Sequence, residues 1–140
     1  MSHTRSEPPI SFQDQNEPPT PSSTLMEIST AMVALYKAQF GRGPTRARTE
    51  WAGPDTIVVL LEDTLTPAER NLVSLGEHQR LRDVRLFFQY ASEEEFRAPV
   101  ERAAGRRVRA FVSGIDTGED VAVELFVLEP ESPDAASVTE

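Results

Sequence analysis

The chain has 140 residues, a formal net charge of −9 at pH 7 and no cysteine. That length fits one domain with one modest core. The missing cysteines exclude disulfides, thiolate zinc sites, iron–sulfur clusters and a cysteine nucleophile, and the acidic balance argues against a generic nucleic-acid binder, which carries a basic face.

Residues 1–22 set one arginine against three acids and hold five of the eleven prolines, with Met1, Ile10 and Phe12 as the large apolar residues. Such a segment buries too little to offset its ordering entropy, so it is expected to be a disordered, Pro-rich acidic tail. The last ten residues, 131–140, read the same way. The expected folded unit is 23–130, and it carries −4 of the net charge. No stretch approaches 18 apolar residues, so no transmembrane helix is expected. The polar N-terminus lacks the apolar run of a signal peptide. A soluble, cytoplasmic protein follows as the default expectation.

Leu25, Ile28, Met32, Leu35, Tyr36 and Phe40 recur at steps of three or four and predict a helix over 24–40. Thr24 with Glu27 reads as a capping box, and Gly41 as the glycine just past the helix end. Ala47–Ala52 and Thr56–Glu62 are short extended runs joined by Gly53-Pro54-Asp55, a hairpin pattern. The run 56–61 is β-branched and almost continuously apolar, as in a strand covered on both faces or nearly so. Thr66, Pro67 and Glu69 form a strong helix start, and Gly76 ends that short helix.

A longer helix is expected from Glu77, with Leu81, Val84, Phe88 and Ala91 as its apolar face, broadened by Leu86, Phe87 and Tyr90. Ser92-Glu-Glu-Glu95 is a possible second capping box. Pro99 lies too deep for a first-turn proline and is expected to kink or split the helix. Gly105 ends it. Val108–Ile115 and Val121–Leu128 are the last strands, joined by the polar loop 116–120. The pattern predicts an α+β two-layer sandwich. It has about four mostly antiparallel strands with helices packed on one face, in the order α-β-β-α-α-β-β.

The residues offer little catalytic chemistry. His78 is the one histidine outside the tail, too little for a metal site or a Ser-His-Asp triad. Val112-Ser113-Gly114 lacks the glycine pattern of a nucleophile elbow. Glu62 and Asp63 end a buried strand, where paired carboxylates can do acid–base work. Acids before a Thr-capped helix are also ordinary turn chemistry.

Arginine, with 13 of the 14 basic residues, is the more informative type. Arg42, Arg46 and Arg48 flank Gly41-Arg-Gly-Pro44. Arg102, Arg106, Arg107 and Arg109 flank Gly105. The guanidinium fork suits carboxylate or phosphate, and the loop around Gly43 offers backbone N–H groups. That loop follows a helix and precedes a strand, the reverse of a dinucleotide or Walker loop. Trp51 beside Arg46 and Arg48 is a candidate contact surface. The candidate anion- or partner-binding residues are therefore Arg42, Gly43, Arg46, Arg48, Trp51, Arg106 and Arg107, with Glu62 and Asp63 as strand-end acids. No cofactor and no metal is expected.

Phe40-Gly-Arg-Gly-Pro-Thr45 with Ala47-Arg48, Val59-Leu-Leu-Glu-Asp63, Leu65-Thr-Pro-Ala-Glu-Arg70, Gly105-Arg-Arg-Val108, Ala110-Phe-Val-Ser-Gly114 and 123–130 follow one another in an order that resembles the MpsC-like family. The resemblance covers about 24–130. It implies a small, soluble bacterial accessory protein associated with a membrane-potential-generating cation system linked to inorganic-carbon supply. It carries over no catalytic residue. Pro99 departs from the family's usually uninterrupted helix. The function expected is accessory or regulatory, through a protein partner such as a membrane transport component. A homodimer is possible and no membrane insertion is expected. The alternatives are an enzyme acting on an anionic substrate or a weak nucleic-acid-binding domain.

Overall fold

The computed structural model describes residues 21–131. Its elements are α1 (Pro21–Phe40), β1 (Arg46–Trp51), β2 (Thr56–Glu62), α2 (Pro67–Ser74), α3 (His78–Ala91), α4 (Glu93–Ala104), β3 (Val108–Asp116) and β4 (Val121–Leu128). The α+β expectation holds. Two antiparallel hairpins lie side by side in the order β1-β2-β4-β3, so β2 and β4 form the centre. The calls on 1–20 and 132–140 lie outside the described residues. Pro21 and Ser22, assigned to the tail from composition, are helical.

The core fills the space between the helices and one face of the sheet. Ile28, Met32 and Tyr36 of α1, Phe96 and Val100 of α4, Ile57, Val59 and Leu61 of β2, and Ala122, Phe126 and Leu128 of β4 are buried there with Val108 and Phe111 of β3. Helical periodicity on one side and period-two alternation on the other bring these side chains together. The cap at Thr66 forms as expected. Thr66 Oγ1 accepts from Glu69 N at 3.2 Å and Glu69 Oε1 from Thr66 N at 2.8 Å. Gly105 ends α4 at φ 69°, a left-handed position that suits glycine.

Four expectations need correction. Thr24 does not cap α1, because the helix begins three residues earlier and Thr24 is buried within it. Pro99 does not split its helix. The break falls at Ser92, and α4 runs through Pro99, whose buried ring offsets the hydrogen bond it removes. Strand β2 is covered by helices on one face only: Ile57, Val59 and Leu61 are buried, while Val58 and Leu60 are half-buried on the other side.

The fourth correction concerns α3. Its inward residues are Leu81, Arg85 and Gln89. Of the expected face, Val84, Phe88 and the flanking Phe87 lie outward at 48%, 47% and 68% exposure, and Ala91 is also exposed. Residues on a helix are spaced about 100° apart, so moving from the 84/88 row to the 85/89 row turns the helix by about one such step. The partners that Arg85 and Gln89 find inside the fold fix this phase.

Candidate functional site

The charged residues singled out in the sequence occupy two opposite ends of the sheet. Arg46 is registered against Glu62 at one end of the β1–β2 hairpin and Trp51 against Ile57 at the other. Five residues of strand separate them by about 17 Å.

At the first end, Asp63 is the hub. It sits at φ 62°, a left-handed conformation that Asp tolerates better than most residues. Arg42 donates to Asp63 Oδ2 at 2.9 Å and to the carbonyls of Asp63 and Leu65. Arg70 donates to Asp63 Oδ1 and lies 3.6 Å from Asp120. The Arg42 hydrogen bond holds the Asp63 carboxyl down at about 2, with help from Thr45 and Arg70 and against its partial desolvation. Asp120, at φ 59°, accepts from Thr64 N, Thr64 Oγ1 and Leu65 N. These bonds tie the end of the first hairpin to the turn of the second.

A polar cleft of about 380 Å³ opens here, lined by Thr45, Arg46, Glu62, Asp63, Arg70, Gly118, Glu119 and Asp120. Four carboxylates against two arginines make its balance acidic. The structure thus brings Arg46, Glu62 and Asp63 together, with Arg42 beneath them. Gly43 lies against α1, where a Cβ would meet the Val33 side chain and carbonyl at 3.5 Å, an ordinary contact.

At the second end, Arg106 donates to the carbonyls of Pro54 and Glu129 and to the Asp55 carboxylate. It latches the first hairpin turn to the end of β4. Arg106 and Trp51 line a cleft of about 610 Å³ with Thr24, Gly53, Pro54, Ala104 and Glu131. Trp51 is half-buried against the core on the helix side of the sheet. Arg46 and Arg48 are exposed on the opposite face, so alternation separates the tryptophan from them. Arg107 is exposed. Arg42 and Arg106 therefore spend their donors within the fold, while Arg46, Arg48 and Arg107 present theirs outward.

Sequence reasoning missed a polar cluster in the interior. Glu124 is fully buried on β4, where alternation places it in phase with Ala122 and Phe126. Its Oε2 accepts from Tyr36 OH at 2.5 Å and from Gln89 Nε2 at 2.7 Å. Gln89 also reaches Ser113 Oγ and Tyr36 OH. Burial pushes the Glu124 carboxyl up to about 7, against the hydrogen bonds from Tyr36, Ser113 and Gln89 that favour its charged form. Burial, and then the neighbouring Glu124, raise the Tyr36 hydroxyl well above its usual value. Glu124 Oε1 and Gln89 Oε1 are buried without a hydrogen-bond partner. A proton on Glu124 supplies a donor to this acceptor-rich cluster.

Arg85 forms the second interior feature. It is fully buried, donates twice to Glu69 at 2.8 Å and to the Thr64 carbonyl at 2.8 Å, and stacks 3.8 Å over the Phe40 ring. Burial raises the Glu69 carboxyl, but the Arg85 and Thr66 hydrogen bonds outweigh it and bring the group below its usual value. The available signal was phase: Arg85 and Gln89 lie four and eight residues after Leu81, on one helix face.

The outward side of α3 is the counterpart. Phe87 and Phe88 meet edge to face at 5.5 Å and form a solvent-facing stripe with Val84 and Ala91 at steps of three and four. Among the described residues no group of three or more His, Cys, Asp or Glu side chains could hold a metal ion. No described helix is long and apolar enough to cross a membrane.

The family model described as the Na+-translocating membrane potential-generating system (MpsC) matches residues 22–130. No curated protein and no solved structure matches the chain.

Proposed function

The chain belongs to the MpsC family, and from that membership we propose that it is a bacterial, cytoplasmic accessory protein without an activity of its own. It docks on a protein component of a Na+-translocating membrane potential-generating system, with a role in inorganic-carbon supply. The observation that carries this reading is the inverted helix α3, which buries Arg85 and Gln89 and turns Val84, Phe87 and Phe88 outward. Adjacent exposed aromatics favour desolvation by a partner. Their phase is held by internal hydrogen bonds, so the surface is presented on a rigid element.

The charged ends support a structural rather than an anion-binding role for Arg42 and Arg106. Releasing either guanidinium to a ligand breaks its bonds to backbone carbonyls and to Asp63 or Asp55. Asp63, held down at about 2, is a fixed anion and a poor proton carrier near neutral pH.

The test is co-purification. The tagged chain is co-expressed with the membrane subunits of such a system and recovered in detergent. The wild type should retain them, and a Phe87→Ser/Phe88→Ser variant should bind at least about thirtyfold more weakly, since a buried aromatic anchor is worth roughly 2 kcal/mol or more. Equal recovery by the double variant overturns the assignment.

A further inference from the structure

The side of the sheet away from the helices forms a second apolar surface, and its occupant can be argued from register. Across the four strands its rows read Arg46–Glu62–Val121–Asp116, then Arg48–Leu60–Val123–Gly114, then Glu50–Val58–Leu125–Val112, and finally Thr56–Val127–Ala110. The two central strands contribute Val58, Leu60, Val123, Leu125 and Val127 in one block. Charge lies on β1, in the row at one end, and at the exposed Arg109 in the β3 bulge beside the fourth row. Near-continuous apolar strands such as β2 and β4 are the pattern of a sheet covered on both faces, and helices cover one.

We propose that this face packs against the same face of a second copy, with a two-fold axis running along the strands between β2 and β4. This inference is independent of the α3 surface. The operation leaves each row in place and reverses its columns. Leu60 then faces Val123 of the second copy, and Val58 faces Leu125. Arg46 faces Asp116 of the second copy, and the same pair repeats at the other rim. Arg46–Asp116 is thus a complementary pair under the operation that joins the apolar blocks, while Arg48 and Glu50 at the β1 rim fall opposite Gly114 and Val112, and Glu62 opposite Val121. The geometry is the aligned packing of a β-sandwich.

Edge-to-edge pairing is the competing mode, and β3 is blocked against it. Tyr90 OH accepts from Ser113 N at 2.8 Å and lies 3.3 Å from Ser113 O, while Arg97 donates to Val108 O. These side chains occupy backbone groups on the open edge of β3.

Four strands about 4.8 Å apart and eight residues long give a projected face of about 500 Å². A standard interface buries about 800 Å² per partner, so the dimer belongs in the weak, micromolar class.

Sedimentation equilibrium of the full chain from about 1 to 500 µM spans that class. The wild type should pass from monomer to dimer within this range. Leu125→Lys should weaken association at least about thirtyfold. Arg46→Asp and Asp116→Arg should each weaken it about three- to tenfold, and the two together in one chain should restore it. Asp116 Oδ1 also accepts from Glu119 N at 2.8 Å, so the folding of each variant is read by circular dichroism alongside. Phe87→Ser should leave it intact. A wild type that stays monomeric throughout, a Leu125→Lys chain that dimerises like the wild type, or a double charge swap no better than either single change overturns the proposal.

Discussion

The two sides of helix α3 reverse the usual order of a surface helix. The side facing the sheet carries Arg85 and Gln89, and the side facing solvent carries Val84, Phe87 and Phe88. The inward polar groups have partners inside the fold: Glu69, Thr64 and Phe40 for Arg85, and Glu124, Ser113 and Tyr36 for Gln89. The outward aromatics Phe87 and Phe88 meet each other edge to face at 5.5 Å and are 68% and 47% exposed. Apart from Arg85 Nη1 and Gln89 Oε1, which are buried without a partner, the inward polar atoms are bonded within the fold and fix the helix's phase, while the exposed apolar side is the surface to which we assign a partner. The difference divides the helix into a half that specifies the fold and a half to which we assign the partner contact.

The largest expected effect lies on the inward half. Arg85→Ala leaves Glu69 without its cation and opens a void beside Phe40, and should cost about 3–5 kcal/mol, read by chemical denaturation. A loss under about 1 kcal/mol would break the comparison by making the buried arginine incidental.

Glu124 sharpens it through pH. Its carboxyl stands at about 7 in the fold against 4.5 ordinarily. The native state therefore holds a proton that the unfolded chain releases. The stability this contributes is present below about 4.5 and is lost as pH rises through about 7, with a slope of at most about 1.4 kcal/mol per pH unit. Glu124→Gln keeps the shape and removes the titration, so its stability should be flatter between those limits. An unchanged slope assigns the pH dependence elsewhere.

Asp63 supplies the opposite sign. Its carboxyl is held at about 2 against 3.8 ordinarily. The stability it contributes is present above about 3.8 and is lost as pH falls toward 2. Asp63→Asn should shrink the acid limb of the pH–stability curve and leave the limb from 4.5 to 7 untouched. A change confined to that neutral limb would contradict the assignment of these two carboxylates.

These differences also mark what the sequence could reveal. Local chemistry was legible: the Thr66 cap, the Gly53-Pro54-Asp55 turn and the left-handed Gly105 each depend on a few neighbouring residues. Antiparallel hairpins followed from the turn residues Gly53-Pro54-Asp55 and the polar loop 116–120 between short extended runs. The phase of α3 was not legible, because Val84 and Phe88 fit a helical face as well as Leu81, Arg85 and Gln89 do. The choice rests on Glu69 and Glu124, 16 and 35 residues from Arg85 and Gln89 respectively. The arginine clusters were legible as composition. Their separation to opposite ends of the sheet, and the capture of Arg42 and Arg106 by backbone carbonyls, needed the register of four strands.

The smallest expected effect on stability belongs to the outward half. Phe87→Ser with Phe88→Ser should change unfolding free energy by no more than about 1 kcal/mol, since Phe87 is 68% exposed and about half of Phe88 is also in solvent. The same variant gives the most direct measurement of the central claim: titration of the purified, detergent-solubilised transport subunits with wild-type and double-variant chains. The account predicts saturable wild-type binding, and binding at least about thirtyfold weaker by a variant that is nearly as stable. Equal affinity for the two chains would contradict it.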